Sequence, residues 1–331
     1  MKIAILSDGG WGTALAMVLV DNGNDVTLWG PFPDYIEEMK RTRTNSRFLK
    51  NVRLPANLKL ESDIAKAAQA DYLVLASPVQ FMRGVLTQLK PHFDPTRHRL
   101  IDVAKGIECE TLLRVSGICA EILGKCRYCV MSGPSHAEEV SRATPTAVVA
   151  ASADITLAEE VQKLFMNNYF RVYTSNDYTG VELGGALKNV MAIAAGIVDG
   201  MKLGDNPKAA MMTRGVAEIS RLGVALGGEA QTFFGLSGIG DLIVTCCSGH
   251  SRNRYVGEQL GRGIKTDEIT RSMGMVVAEG IKTSLSAWQL AQKIGIEAPI
   301  VEQVYAIIYE NKDPAAAVAE LMGREAKSEF E

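Results

Sequence analysis

Short apolar runs of strand length open the chain. They read KIAIL (2–6), DVTLW (25–29), YLVLAS (72–77), RLIDVA (99–104), YCVMSG (128–133), TAVVAAS (146–152) and FRVYTS (170–175). Their Val, Ile and Leu stand with little polar alternation, the pattern of strands covered on both faces. Helix-like segments lie between most of them, which predicts a doubly wound α/β sheet. From about Asp177 the pattern changes. In VELGGALKNVMAIAAGIVDGM and AAMMTRGVAEISRLGVALGG, apolar residues recur at helical spacing, and strand signals nearly vanish. Two domains are expected: a sheet domain over residues 1–177 and an all-α domain over 178–331.

Composition narrows the class. The 331 residues are 47% hydrophobic, enough for two cores, and the net charge is −3. That balance gives no global basic field for nucleic acid or an anionic membrane. Uninterrupted apolar runs fall short of the about 18 residues of a membrane span. The N-terminus enters a strand with no signal-peptide pattern, so a cytoplasmic protein is expected. The basic stretch KRTRTNSRFLKNVR (40–53) has little aromatic interleaving and reads as a solvated surface loop. Cys126 and Cys129 form a lone C-x-x-C without the second pair of a structural zinc site. With Cys109, Cys119, Cys246 and Cys247 they read as small hydrophobes in a reducing compartment, and no metal is expected.

Four groups carry candidate chemistry. The first is the loop SDGGWG (7–12) between a strand and a helix. Gly9, Gly10 and Gly12 let backbone N–H groups at a helix start approach a phosphate. Two features are unusual: Ser7 stands where glycine is customary, and Asp8 stands where an anion would bind. Asp8 is expected to cap the following helix. The acid that holds a ribose hydroxyl about 20 residues on has no counterpart here, because DVTLW runs into GPFPD. The second group lies past two strand ends, where ligands of doubly wound sheets bind: Lys105, then Gly133, Pro134 and Ser135. The third is Lys188 with Asn189 in an apolar helix. A lysine buried there needs a partner, and burial moves its pKa down toward acid–base use. The fourth is Asp241, bracketed by apolar residues, with Ser251, Arg252, Asn253 and Arg254, a dense set of donors suited to a phosphate.

Taken together, GGWGTALA, AKGIE, SGPSHAEEV, GVELGGALKNVMAIAAGI, TRGVAEISRLG, GIGDLIVTC, SRNR and VVAEG resemble the bacterial type of NAD(P)-dependent glycerol-3-phosphate dehydrogenase, in order from Ile3 to about Pro299. The resemblance implies a Rossmann-type domain, a helical domain and a site in the cleft between them. It implies reversible reduction of dihydroxyacetone phosphate to sn-glycerol 3-phosphate, feeding glycerophospholipid synthesis, by a cytoplasmic homodimer. It gives Lys188 the general acid–base role and Lys105 contacts to both cofactor and substrate. Gly133 and Ser135 match substrate contacts, and Ser251, Arg252 and Asn253 match the phosphate clamp. Asp241 orients Lys188 or holds a substrate hydroxyl, and Asn189 and Thr245 support. Gly9, Gly10, Trp11, Gly12, Ala137, Arg252, Val277 and Glu279 match cofactor contacts. Ser7 and Asp8 depart from the family loop, and Pro31 and Phe32 stand where His or Arg is usual. NAD and NADP therefore both stay open as cofactor. Two other functions stay open too: a related hydroxy-acid dehydrogenase, and a non-catalytic binder of a phosphorylated ligand.

Overall fold

The computed structural model describes residues 1–274, 278–326 and 328–329. Among the described residues ten strands form: β1 (Lys2–Leu6), β2 (Asp25–Trp29), β3 (Thr44–Asn45), β4 (Leu49–Arg53), β5 (Lys59–Glu61), β6 (Tyr72–Leu75), β7 (Arg99–Asp102), β8 (Arg127–Ser132), β9 (Thr146–Ala151) and β10 (Phe170–Ser175). Eight of them make one sheet in the order β10-β9-β8-β7-β6-β1-β2-β5. Alternation in the central strands explains the two-sided burial. Ile3 and Ile5 of β1 enter the core on one face, with Tyr72 and Val74 of β6. Ala4 and Leu6 enter the core on the other, with Leu73 and Leu75. The sheet is parallel from β5 to β8, but β9 pairs antiparallel with β8, and β10 runs parallel to β9. A short return between β8 and β9, with no crossover helix across the sheet, allows that reversal.

The basic stretch corrects an expectation. Residues 40–53 are no plain surface loop. They finish a helix (Pro33–Thr42) and form the β3–β4 hairpin. Leu49 and Val52 are buried, and Asn45 has no exposed surface. Asn45 Nδ2 donates to Asp8 O at 2.7 Å and Thr13 Oγ1 at 2.8 Å, while its Oδ1 accepts from the Tyr35 hydroxyl at 2.8 Å. The hairpin therefore buttresses the glycine loop. The surrounding charges, which face water, mask this in the sequence.

The last sheet strand ends at Ser175, and a long helix (Tyr178–Gly200) starts after two intervening residues. Every residue from Gly180 to Val198 is buried. By length and mean hydropathy (1.5) this helix could cross a membrane, yet the rest of the chain covers it completely. The helix Arg252–Gly261 crosses it closely. A Cβ on Gly196 would lie 2.0 Å from Arg254 O, and one on Gly257 would lie 1.9 Å from Ile193 O, so only glycines permit the contact. That crossing brings the SRNR segment beside Lys188 and Asn189.

Glu218 fixes the start of another helix, Pro299–Tyr309. Its carboxylate accepts from Ile300 N at 2.9 Å and Val301 N at 2.8 Å, satisfying two N–H groups of the first turn. Glu218→Ala should lower stability by about 2 kcal/mol in chemical denaturation. Burial pushes the Glu218 pKa up from 4.5 to about 7, against the pull of those two N–H groups. The folded state then holds a proton that the unfolded state releases between those values. Stability of the natural chain should fall across that window as pH rises, relative to Glu218→Gln. An identical pH slope in the variant would show that Glu218 does not titrate there.

Candidate active site

Lys188 stands midway along the buried helix, with its side chain about 7% exposed. Its Nζ lies 2.9 Å from Asp241 Oδ1 and donates to Thr245 Oγ1 at 2.7 Å. Lys105, from the loop after β7, reaches the same carboxylate from the sheet side. Its Nζ is 2.6 Å from Asp241 Oδ2 and donates to Gly133 O at 3.0 Å. One buried aspartate thus holds two ammonium groups, one from each half of the chain. Burial is the largest influence on Lys188, and with the nearby Lys105 charge it outweighs Asp241 and brings the pKa down from 10.5 to about 8. Burial alone would raise Asp241; the two lysines overcome it and hold the carboxyl below its ordinary value.

Polar groups around this triad fix its frame. Asn189 Nδ2 donates to Lys105 O at 3.2 Å, and Asn253 Nδ2 donates to Asn189 Oδ1 at 2.9 Å. Asn253 Oδ1 accepts from Gly280 N at 2.9 Å, so both ends of that amide are engaged. Ser251 caps the helix Arg252–Gly261 by accepting from Arg254 N at 3.2 Å. Arg254 turns away to Asp199 at 2.7 Å, while Arg252 is exposed at the helix start. Of the SRNR donors, then, Arg252 is exposed, and Asn253 and Arg254 are bound within the protein. Gly133 has φ +146°, and a Cβ there would lie 2.9 Å from Val148 Cα, which accounts for glycine after β8. Ser135 Oγ donates back to Gly133 O at 2.8 Å.

The glycine loop fits a dinucleotide phosphate. The first helix (Gly10–Asp21) starts at Gly9 with no side-chain cap, so its leading N–H groups are free to bind an anion. A Cβ on Gly12 would strike Ser7 O at 2.5 Å, and one on Gly10 would strike Phe48 O at 2.5 Å, so only glycine fits at either position. Ala137 packs on Gly10, and the buried Trp11 Nε1 has no hydrogen-bond partner among the described residues. Ser7 costs no strain, since it keeps a negative φ and its Oγ accepts from Gly9 N at 3.2 Å. Asp8 does not cap the helix as expected; its carboxyl lies instead against Gly30, after β2. Glu279 begins the helix Glu279–Ile294, and burial pushes its pKa up to about 7 against the nearby Arg252 charge. Val277 lies outside the described residues.

Two features escaped sequence reasoning. The Tyr128 hydroxyl lies 2.8 Å from both Asp102 Oδ2 and Glu182 Oε1, joining the sheet to the buried helix. Burial, reinforced by the Glu182 charge, pushes the Asp102 carboxyl well up from its ordinary range. Three side chains distant in sequence leave no local signal. His136 was a letter inside SGPSHAEEV; burial and Lys188 push its pKa down, and its Nε2 has no partner among the described residues.

Comparison with known proteins agrees with this geometry. Residues 2–158 match the family described as NAD-dependent glycerol-3-phosphate dehydrogenase N-terminus, and residues 177–319 match its C-terminus. A glycerol-3-phosphate dehydrogenase [NAD(P)+] of Geobacter metallireducens is 51% identical over 99% of this chain and 98% of its own. One from Lysinibacillus sphaericus is 50% identical over 100% and 98%. A crystal structure of glycerol-3-phosphate dehydrogenase from Coxiella burnetii superposes with a TM-score of 0.94 at 39% identity, covering 98% of this chain and 99% of that one. A ketopantoate reductase from Ralstonia eutropha shares the fold at 13% identity and a TM-score of 0.60. With both halves matched in order and close relatives spanning its length, the chain belongs to the NAD-dependent glycerol-3-phosphate dehydrogenase family.

Proposed function

We propose that this chain reduces dihydroxyacetone phosphate to sn-glycerol 3-phosphate with NADH or NADPH, reversibly, and so supplies glycerophospholipid synthesis. The observation that carries the reading is the buried Lys188, with a pKa of about 8 and an ammonium held by Asp241 and Thr245. A general acid is most effective when its pKa lies near the working pH. When bound, the nicotinamide supplies the hydride that the ketone carbon accepts. Lys188 Nζ gives its proton to the ketone oxygen as that oxygen gains charge, and takes it back in the reverse direction. Asp241 keeps the ammonium aimed, and Lys105 places a second positive charge beside the developing alkoxide. Arg252 and the N-terminus of its helix hold the substrate phosphate, with Ser251 and Asn253 fixing the segment. Gly133 and Ser135 line the substrate. Gly9, Gly10, Trp11, Gly12, Ala137 and Glu279 hold the cofactor with Lys105 and Arg252.

The test is the initial rate of NADH and NADPH oxidation with dihydroxyacetone phosphate. Turnover with neither cofactor, from folded protein, would overturn the reading. Arg252→Ala should raise KM for the phosphorylated ketone roughly thirtyfold, the scale of a lost charge-assisted hydrogen bond. Its effect on kcat should be small. An unchanged KM would remove Arg252 from the clamp. The protein is further taken to act in the cytoplasm as a homodimer. Light scattering should then give twice the monomer mass, and a monomer mass would reject the dimer.

A further inference from the structure

The acid that usually closes the second strand of a dinucleotide fold holds the adenosine ribose. Here β2 ends in Trp29, followed by Gly30, Pro31 and Phe32, none of them charged. The structure nevertheless puts a carboxylate at that corner, delivered by the glycine loop. A Cβ on Gly30 would stand 2.7 Å from both Asp8 Cγ and Asp8 Oδ2. The carboxyl of Asp8 thus begins where a side chain at position 30 would point, and Gly30 makes the room for it.

Asp8 is 4% exposed, and its buried Oδ2 has no hydrogen-bond partner among the described residues. A buried carboxylate oxygen without a donor is costly, so this atom lacks a proton donor that something else must bring. The setting is built rather than accidental. Asn45 donates to Asp8 O at 2.7 Å and so holds the residue in place. Burial pushes the Asp8 carboxyl up from its ordinary range, while the Arg47 charge pulls it down. Arg47 itself lies over the Tyr35 ring, 3.9 Å from its centroid.

We propose that Asp8 takes the place of the absent β2-end acid: its carboxylate receives the ribose hydroxyls of the adenosine half and makes the enzyme select NAD(H) over NADP(H). This inference rests on the dehydrogenase reading above. A ribose diol brings O–H donors to Oδ2. A 2′-phosphate removes one of those donors and sets a second anion against a carboxylate that water barely reaches, where repulsion is poorly screened. The same acid that looks hostile to a pyrophosphate in the sequence therefore serves the opposite end of the cofactor.

Calorimetric titration of NAD+ and NADP+, and of adenosine monophosphate with and without a 2′-phosphate, tests this on the natural chain and on Asp8→Asn and Asp8→Ala. Circular dichroism checks that each variant is folded. The natural chain should bind the ligand without the 2′-phosphate at least about tenfold more tightly, the scale of hydrogen bonds to a charged group. Both variants should bring that ratio down toward one, by weakening NAD+ and strengthening NADP+. Equal binding by the natural chain, or tighter binding of NADP+, would overturn the inference and give the corner to Arg47. An unchanged ratio in folded variants would overturn it too. Binding of neither dinucleotide by the natural chain would overturn the dehydrogenase reading itself, and this inference with it.

Discussion

Lys188→Ala should lower turnover of dihydroxyacetone phosphate by about 10²- to 10⁴-fold, the range supplied by a positioned acid or base. The fold should survive, for a physical reason. Removing one ammonium leaves Asp241 still paired with Lys105 at 2.6 Å, so no uncompensated carboxylate is stranded. Lys188→Met, which keeps most of the stem volume, separates lost packing from lost chemistry. Both variants should bind substrate in calorimetry yet fail to turn it over. The natural enzyme should also show the titration. Reduction needs the protonated amine, so its rate should fall as pH passes upward through about 8. Oxidation of glycerol 3-phosphate needs the neutral amine and should rise over the same interval. Retained turnover in Lys188→Met would remove the lysine from the chemistry.

The fold was largely legible because its strands are short, apolar and separated by helical segments. KIAIL and YLVLAS lie at β1 and β6, where burial on two faces needs no polar alternation. The strands that were missed, β3, β4 and β5, are edge or hairpin pieces. They carry charges such as Lys50, Arg53, Lys59 and Glu61 that face water, so no run of apolar residues marks them. The reversal of β9 and β10 was also hidden, since strand direction depends on the path of a connection and not on composition.

At the site, residue type and apolar context pointed to Lys188, but not to its partners. That Lys105 and Lys188 share the two oxygens of Asp241 is a consequence of folding, across 136 and 53 residues of sequence. The number of free donors was overread. SRNR offers four polar side chains in a row, yet a helix turns them to different sides, so Arg254 goes to Asp199 and Asn253 to Asn189 and Gly280. Asp8 was misread in the other direction. Local reasoning assigns an acid before a helix to a cap, and here the backbone geometry sends its carboxyl to Gly30.

Asp241→Asn should produce the second large effect, and it separates two contributions that share one residue. In the natural chain the carboxylate is buried and bound by both lysines, at 2.6 Å and 2.9 Å. The amide keeps the shape and one acceptor but loses the charge, leaving two nearby ammonium groups uncompensated. Breaking a buried pair of this kind costs about 3–5 kcal/mol, and the remaining acceptor should keep the loss near the lower figure. Denaturant titration reads that term. The catalytic term appears in the pH profile. Asp241 is a cause that holds the Lys188 pKa up, against burial and Lys105, so its removal should move the fall in reduction rate from about 8 to lower pH. At neutral pH the variant would then hold less protonated acid, and kcat should drop while the phosphate clamp at Arg252 keeps KM nearly constant. Lowering the pH should partly restore turnover. A mere loss of structure would not give that recovery. A pH limb that stays near 8 in a stable, folded Asp241→Asn protein would show that Asp241 does not set the protonation of Lys188. The carboxylate would then be left with the substrate-hydroxyl role instead.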